Sequence, residues 1–136
     1  MTHIFADTCY WIALLNPRDE LHSLAQEVSA TLSDVTILTS DAVFTELLNG
    51  FAEQGPHFRF VVSTAVVVLK KDPKLIVVPQ SHESFNLAFD LYRDRTDKGW
   101  SLTDCSSFLI MRQYSIDAAL TYDKHFEQAG FSALLR

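Results

Sequence analysis

The sequence predicts an α/β fold with a mainly parallel sheet. Two observations carry this expectation. Short apolar runs of strand length recur at residues 4–6, 36–39, 75–78 and 117–121, and longer stretches with apolar residues at helical spacing lie between them. Most of the transitions carry Pro, Gly, Ser, Asn or Asp, so strands and helices alternate throughout. The sequence contains no internal repeat, low-complexity segment or linker, and reads as a single domain over 1–136.

Taken in order, Ile4-Phe5-Ala6 is a short apolar run that ends on Asp7, as a buried parallel strand would, and a helix over about 9–15 follows. Asn16-Pro17-Arg18 breaks that helix. Leu21, Leu24, Ala25 and Val28 then recur at helical spacing and predict a helix over about 19–32. Ser40-Asp41, after the second strand, is an N-cap signal. The next helix carries Val43, Leu47 and Phe51 down one face, Phe44 and Leu48 beside it, and Glu46 on its second turn. Gly55-Pro56 is a clear break. Over 57–71, five valines favour strand by propensity, but the length, Pro56 in the first turn and Lys70-Lys71 at the end favour helix. Its apolar residues fall on nearly every side, which implies burial or a partner surface.

Asp72-Pro73 ends that helix, and Pro79 stops the third strand. Ser81 caps a helix with Phe85, Ala88, Phe89 and Tyr92 at i, i+3, i+4 and i+7, running out near 96–99. Ser101-Leu102-Thr103-Asp104 matches a capping box and predicts a helix to about Tyr114. The fourth strand ends at Tyr122-Asp123, a short helix through Phe126 leads to Gly130, and 131–135 is a last edge strand.

Composition narrows the function. Hydrophobic residues make up 48% of the 136 and charged residues 21%, the balance of a soluble globular domain. No apolar run approaches a membrane span, and the N-terminus has no basic region followed by an apolar segment. Cys9 and Cys105 suit a reducing cytoplasm and lack zinc-site spacing. They read as small side chains buried beside strand ends. His3, His22, His57, His82 and His125 form no ligand spacing and read as surface residues. The net charge of −6 argues mildly against a nucleic-acid partner, unless clustered carboxylates hold a cation.

Four acids fall where a parallel sheet would gather them. Asp7 ends the first strand, Glu46 lies on the helix after the second, Asp104 opens its helix and Asp123 ends the fourth strand. All four places border the carboxyl edge of the sheet, where such folds bind ligands. Each also has a plainer reading: Asp7, Asp104 and Asp123 fit helix caps, and Glu46 fits a solvated helix residue. Gathered carboxylates repel unless a cation neutralises them, and an oxygen-rich set suits Mg²⁺ or Mn²⁺. Such ions lower the pKa of bound water and stabilise the attacking and leaving oxygens of a phosphodiester. The sequence has no Gly-x-Ser-x-Gly, Gly-x-x-x-x-Gly-Lys or His-Glu-x-x-His. A phosphatase using Asp7 as nucleophile would want a second acid at position 9, which is Cys.

The segments Ile4-Phe5-Ala6-Asp7-Thr8, Ser40-Asp41-Ala42-Val43-Phe44-Thr45-Glu46, Trp100-Ser101-Leu102-Thr103-Asp104-Cys105 and Leu120-Thr121-Tyr122-Asp123-Lys124-His125-Phe126 together resemble the four motifs of PIN-domain nucleases, in order and across nearly the whole chain. The resemblance implies an α/β/α sandwich and a Mg²⁺- or Mn²⁺-dependent ribonuclease. It further implies a VapC-like toxin, with a small antitoxin and a homodimer as partners. It makes Asp7, Glu46, Asp104 and Asp123 the metal and catalytic acids, with Thr8 and Thr121 as supporting hydroxyls and Asp97 as a weaker extra acid. Arg93, Arg95, Lys98 and Lys124 are the basic residues expected to touch phosphates. The alternative is a catalytically silent module of the same fold that binds RNA or a protein; the four acids disfavour it.

Overall fold

The central strand is β1 (Thr2–Ala6), and the chain builds outward from it on both sides. The computed structural model describes residues 2–136. After β1 come α1 (Thr8–Leu15), α2 (His22–Ala30), β2 (Val35–Ser40), α3 (Asp41–Gly50), α4 (Pro56–Leu69), β3 (Leu75–Val78), α5 (His82–Asp94), α6 (Leu102–Gln113), β4 (Ala118–Leu120), α7 (Lys124–Gln128) and β5 (Ser132–Ala133). The strands form one sheet in the order β3-β2-β1-β4-β5, with every pairing parallel. Helices flank the sheet, as expected for an α/β/α sandwich.

Ile4, Phe5 and Ala6 are all buried, as a central strand covered on both faces requires. Phe5 pairs with Leu38 on one side and Ala119 on the other, and all three are fully enclosed. A second, aromatic part of the core lies under α6 and α7. Phe108 meets Trp100, Phe126 and Phe131, with ring centres 5.0, 4.9 and 5.8 Å away. Phe108 lies one helical turn beyond Asp104, so the packing that seats this ring also sets the rotation of α6.

Three expectations change in detail. α2 starts at His22, later than its periodicity suggests, because Asn16 and Asp19 side chains capture the backbone N–H groups of Arg18 and Leu21 and hold 16–21 in turns. The α4 segment is a helix, and its apolar residues divide. Val62 and Val66 are buried, whereas Phe60 and Val68 are 69% and 61% exposed. On α5 the predicted stripe is real in spacing but only Ala88 is buried; Phe85 and Phe89 stack on each other near the surface. The edge strand β3 offers little for α5 to cover, and α5 packs against α6 instead.

Thr39 at the end of β2 ties α1 to the sheet. Its hydroxyl donates to Ala6 O at 2.9 Å and accepts from Trp11 Nε1 at 3.2 Å, and it is fully enclosed. Thr39→Val keeps the shape but leaves a buried indole N–H and a carbonyl without this partner. It is expected to cost about 1–3 kcal/mol of unfolding free energy. Urea unfolding measures this, and a change below about 0.5 kcal/mol would show that the hydroxyl is dispensable.

Candidate metal centre

The carboxyl edge of the sheet holds an open cleft of about 320 Å³ lined by Asp7, Glu46, Asp104, Asp123, His125 and Thr8, among others. All four acids singled out in the sequence therefore reach one cavity. They come from four places: the β1–α1 junction, the second turn of α3, the first turn of α6 and the β4–α7 junction.

Asp7 is placed by strand register. Ala6 pairs with Leu120, and the Asp7 N–H donates to Leu120 O at 3.2 Å. The next residue on β4's side, Thr121, then donates its hydroxyl to Asp7 Oδ2 at 2.9 Å and accepts from the Asp123 N–H at 3.0 Å. One fully buried hydroxyl thus fixes the carboxylate of Asp7 and the backbone that carries Asp123. Asp7 occupies the N-cap position of α1, yet its side chain makes no capping hydrogen bond. Burial pushes its carboxyl up to about 7, and the charges of Asp104 and Glu46 add to the shift, against the pull of the Thr8 N–H and the Thr121 hydroxyl.

Asp104 serves as a cap and also lines the cleft. Ser101 Oγ accepts from the Asp104 N–H and Asp104 Oδ2 accepts from the Ser101 N–H, both at 3.0 Å, which completes the predicted capping box. The same Oδ2 lies 3.1 Å from His125 Nδ1. Burial raises the carboxyl of Asp104, the charge of Asp123 raises it further, and the Ser101 N–H and His125 oppose this. Asp123 caps α7 through Oδ1, which accepts from the His125 N–H at 2.9 Å. Glu46 is exposed on α3 and faces the same cleft.

The surroundings sort the remaining candidates. Thr8 Oγ1 is buried beside Asp7 with no hydrogen-bond partner among the described residues. Cys9 Sγ lies 3.4 Å from Thr121 Oγ1, and burial, with the charge of Asp7, pushes its thiol up to about 11; it stays neutral and is no nucleophile at neutral pH. Asp97 lies outside the cleft, paired with both Nε and Nη2 of Arg95 at 3.0 and 3.1 Å. That pair lowers the Asp97 carboxyl. Arg95 also stacks over Trp100, and Lys98 approaches Asp97 at 3.8 Å.

His125 is the residue the sequence reading misplaced. It is not a plain surface histidine but lines the cleft between Asp104 and Asp123. Asp104, Asp123 and His125 each present a ligand-type atom within 4.8 Å of the others. The available signal was its place two residues after Asp123 at the head of a short helix, which turns its side chain back over the cap.

The sequence profile of the PIN domain matches residues 4–132. The chain belongs to the PIN domain family. This PIN domain protein is 30% identical over 131 residues to the 23S rRNA-specific endonuclease VapC20 of Mycobacterium tuberculosis, which spans 94% of this chain and 95% of that protein. Its fold superimposes on the crystal structure of VapC20, a sarcin-ricin loop cleaving toxin, with a TM-score of 0.84 at 26% identity over 94% and 95% of the two chains. VapBC2 from Rickettsia felis, bound to a DNA fragment from its promoter, shares the fold with a TM-score of 0.67 at 15% identity over 97% of each chain. FitAcB from Neisseria gonorrhoeae shares it at 0.61 and 20% identity, over 96% and 94%.

The raised carboxyl of Asp7 has a consequence for this PIN domain protein without metal. Its folded-state value of about 7 lies above the unfolded value near 4, so between these limits the folded state binds more protons. The contribution of Asp7 to stability is therefore greatest below about pH 4 and is lost as pH rises to about 7. In EDTA, Asp7→Asn should gain stability over wild type across that window, by on the order of a few kcal/mol, and hold the gain above it. Denaturant unfolding of both proteins at about pH 4 and pH 8 measures this. A difference that does not change with pH would show that Asp7 is not strained.

Proposed function

We propose that this chain is a metal-dependent endoribonuclease in which residues 1–136 act as one nuclease domain, and that it is the toxin of a toxin–antitoxin pair in the cytoplasm. The observation that carries the reading is the convergence of Asp7, Glu46, Asp104 and Asp123 on one cleft, with a buried carboxylate held near neutrality and an unpartnered hydroxyl beside it. Oxygen donors in this number suit Mg²⁺ or Mn²⁺, and a divalent charge would offset the burial and repulsion that now raise Asp7 and Asp104. The relationship to VapC20 supports an RNA phosphodiester as the substrate.

In this reading Asp7 and Asp104 hold the main ion, and Glu46 and Asp123 complete the shell or orient water. A bound ion supplies Lewis-acid polarisation of the phosphate and a more acidic water. The chain's own part is to fix the acids. Thr121 locks Asp7, the capping box with Ser101 locks Asp104, and the cap of α7 locks Asp123. The Thr8 hydroxyl, enclosed beside Asp7, is left without a hydrogen-bond partner among the described residues.

Cleavage of an RNA containing a sarcin-ricin-type loop should require Mg²⁺ or Mn²⁺ and stop in EDTA. Asp7→Asn and Asp104→Asn should each lower the rate by about a hundredfold or more while remaining folded. Undiminished cleavage in EDTA, or wild-type rates in both variants, would refute the metal-centre reading.

The antitoxin is assigned to α4. Between α1 and α4 runs an apolar groove of about 440 Å³, lined by Trp11, Leu14, Leu15, Phe60, Val61 and Val68 among others. A groove of this kind suits the apolar face of a short partner segment. The exposed Phe85, Leu87, Phe89 and Tyr92 of α5 support a homodimer. Phe60→Glu leaves the core untouched because Phe60 is exposed, and it should abolish inhibition by the antitoxin without changing RNA cleavage. Full inhibition of that variant would place the antitoxin elsewhere.

A further inference from the structure

His125 is the one imidazole in the cleft. Its Nδ1 lies 3.1 Å from Asp104 Oδ2 and 3.2 Å from Asp123 Oδ1. Nδ1 is hydrogen-bonded to Asp104 Oδ2, and because an ionised carboxylate only accepts hydrogen bonds, this nitrogen is the donor. The far side of the ring is elsewhere: a Cβ added to Gly99 would lie 3.7 Å from Nε2, so that nitrogen rests against the wall of the cleft.

The same two oxygens take the local backbone donors. Asp104 Oδ2 accepts from the Ser101 N–H and Asp123 Oδ1 from the His125 N–H. In each carboxylate the capping oxygen is therefore also the one turned to the imidazole, and Oδ1 of Asp104 and Oδ2 of Asp123 take no hydrogen bond among the described residues. Asp104 and Asp123 stand on separate elements, α6 and α7, and like charges this close push apart. The Nδ1 hydrogen bond to Asp104, made by the residue whose own N–H Asp123 caps, is what joins them.

We infer that His125 is a positioning residue whose Nδ1–H ties the carboxylate of Asp104 to the head of α7 that Asp123 caps, fixing the spacing of the two acids and leaving their remaining oxygens for the ion. The inference rests on the reading of these acids as ligands of a divalent cation. Partners that orient metal-binding side chains in this way are worth about 10–100-fold in metal affinity.

Two substitutions separate the two ring nitrogens. In His125→Asn the amide nitrogen stands close to the place of Nδ1, and in His125→Gln it reaches toward the place of Nε2. Calorimetric titration of the full chain with Mn²⁺ should show His125→Ala and His125→Gln about tenfold or more weaker than wild type, with His125→Asn within about threefold of it. A long-range ¹H–¹⁵N spectrum of the metal-free wild type at about pH 8 should show the Nδ1–H tautomer. The Nε2–H tautomer, unchanged Mn²⁺ affinity in His125→Ala, or an Asn variant no better than Gln overturns the proposal. If the Ala variant does not fold, the Asn and Gln pair decides. Wild-type protein that binds no Mn²⁺ would sink the metal reading itself, and the tautomer would still decide whether the clamp exists.

Discussion

Asp7 keeps a buried carboxylate beside other acids because β1 runs parallel to β4 in a register that sets Ala6 against Leu120 and brings the Thr121 hydroxyl onto Asp7 Oδ2. A slip of one residue would turn these side chains to the opposite face of the sheet. The register is secured two residues before Asp7, by Phe5 paired with Leu38 on one side and Ala119 on the other. A hydrophobic contact in the middle of the sheet thus determines where charge sits at its edge. The parallel arrangement matters equally, since it puts the ends of β1, β2 and β4 on the same rim.

The site is built against its own stability. Burial and mutual repulsion raise Asp7 and Asp104, and nothing cationic among the described residues lies against Asp7 to offset this. Such a cluster persists only when its surroundings hold it. Here the supports are few: one threonine hydroxyl, two helix caps and an imidazole. Beneath them, the aromatic packing of Phe108 with Trp100, Phe126 and Phe131 holds α6 against α7, which keeps Asp104 near Asp123.

Capping and site-building turn out to be one function at two of the acids. Asp104 completes a capping box and Asp123 caps α7, and both still face the cleft, because a carboxylate has two oxygens and the cap uses one. Asp7 differs. Its carbonyl accepts from Tyr10 and Trp11 as a cap's does, but its side chain makes no capping hydrogen bond and lines the cleft instead. Capping and lining the cleft are thus separate roles at Asp7 and coincide at the other two.

The order of strands and helices, the parallel sheet and the four acids were legible from the sequence alone, because apolar period, Pro and Gly breaks and cap residues are local signals that this chain obeys. Residues such as Ser40, Ser81 and Ser101 announce their helices within three positions. What only the tertiary structure decided depends on contacts between residues far apart in the chain. His125 meets Asp104 across 21 positions, and Thr121 meets Asp7 across 114. The same holds for the division of α4 into a buried Val62 and Val66 and an exposed Phe60 and Val68, and for the uncovered stripe of α5. Periodicity states that a face is apolar. Only the packing of the neighbouring elements determines whether anything in the chain covers it, because burial is a property of the assembled surfaces and not of the segment.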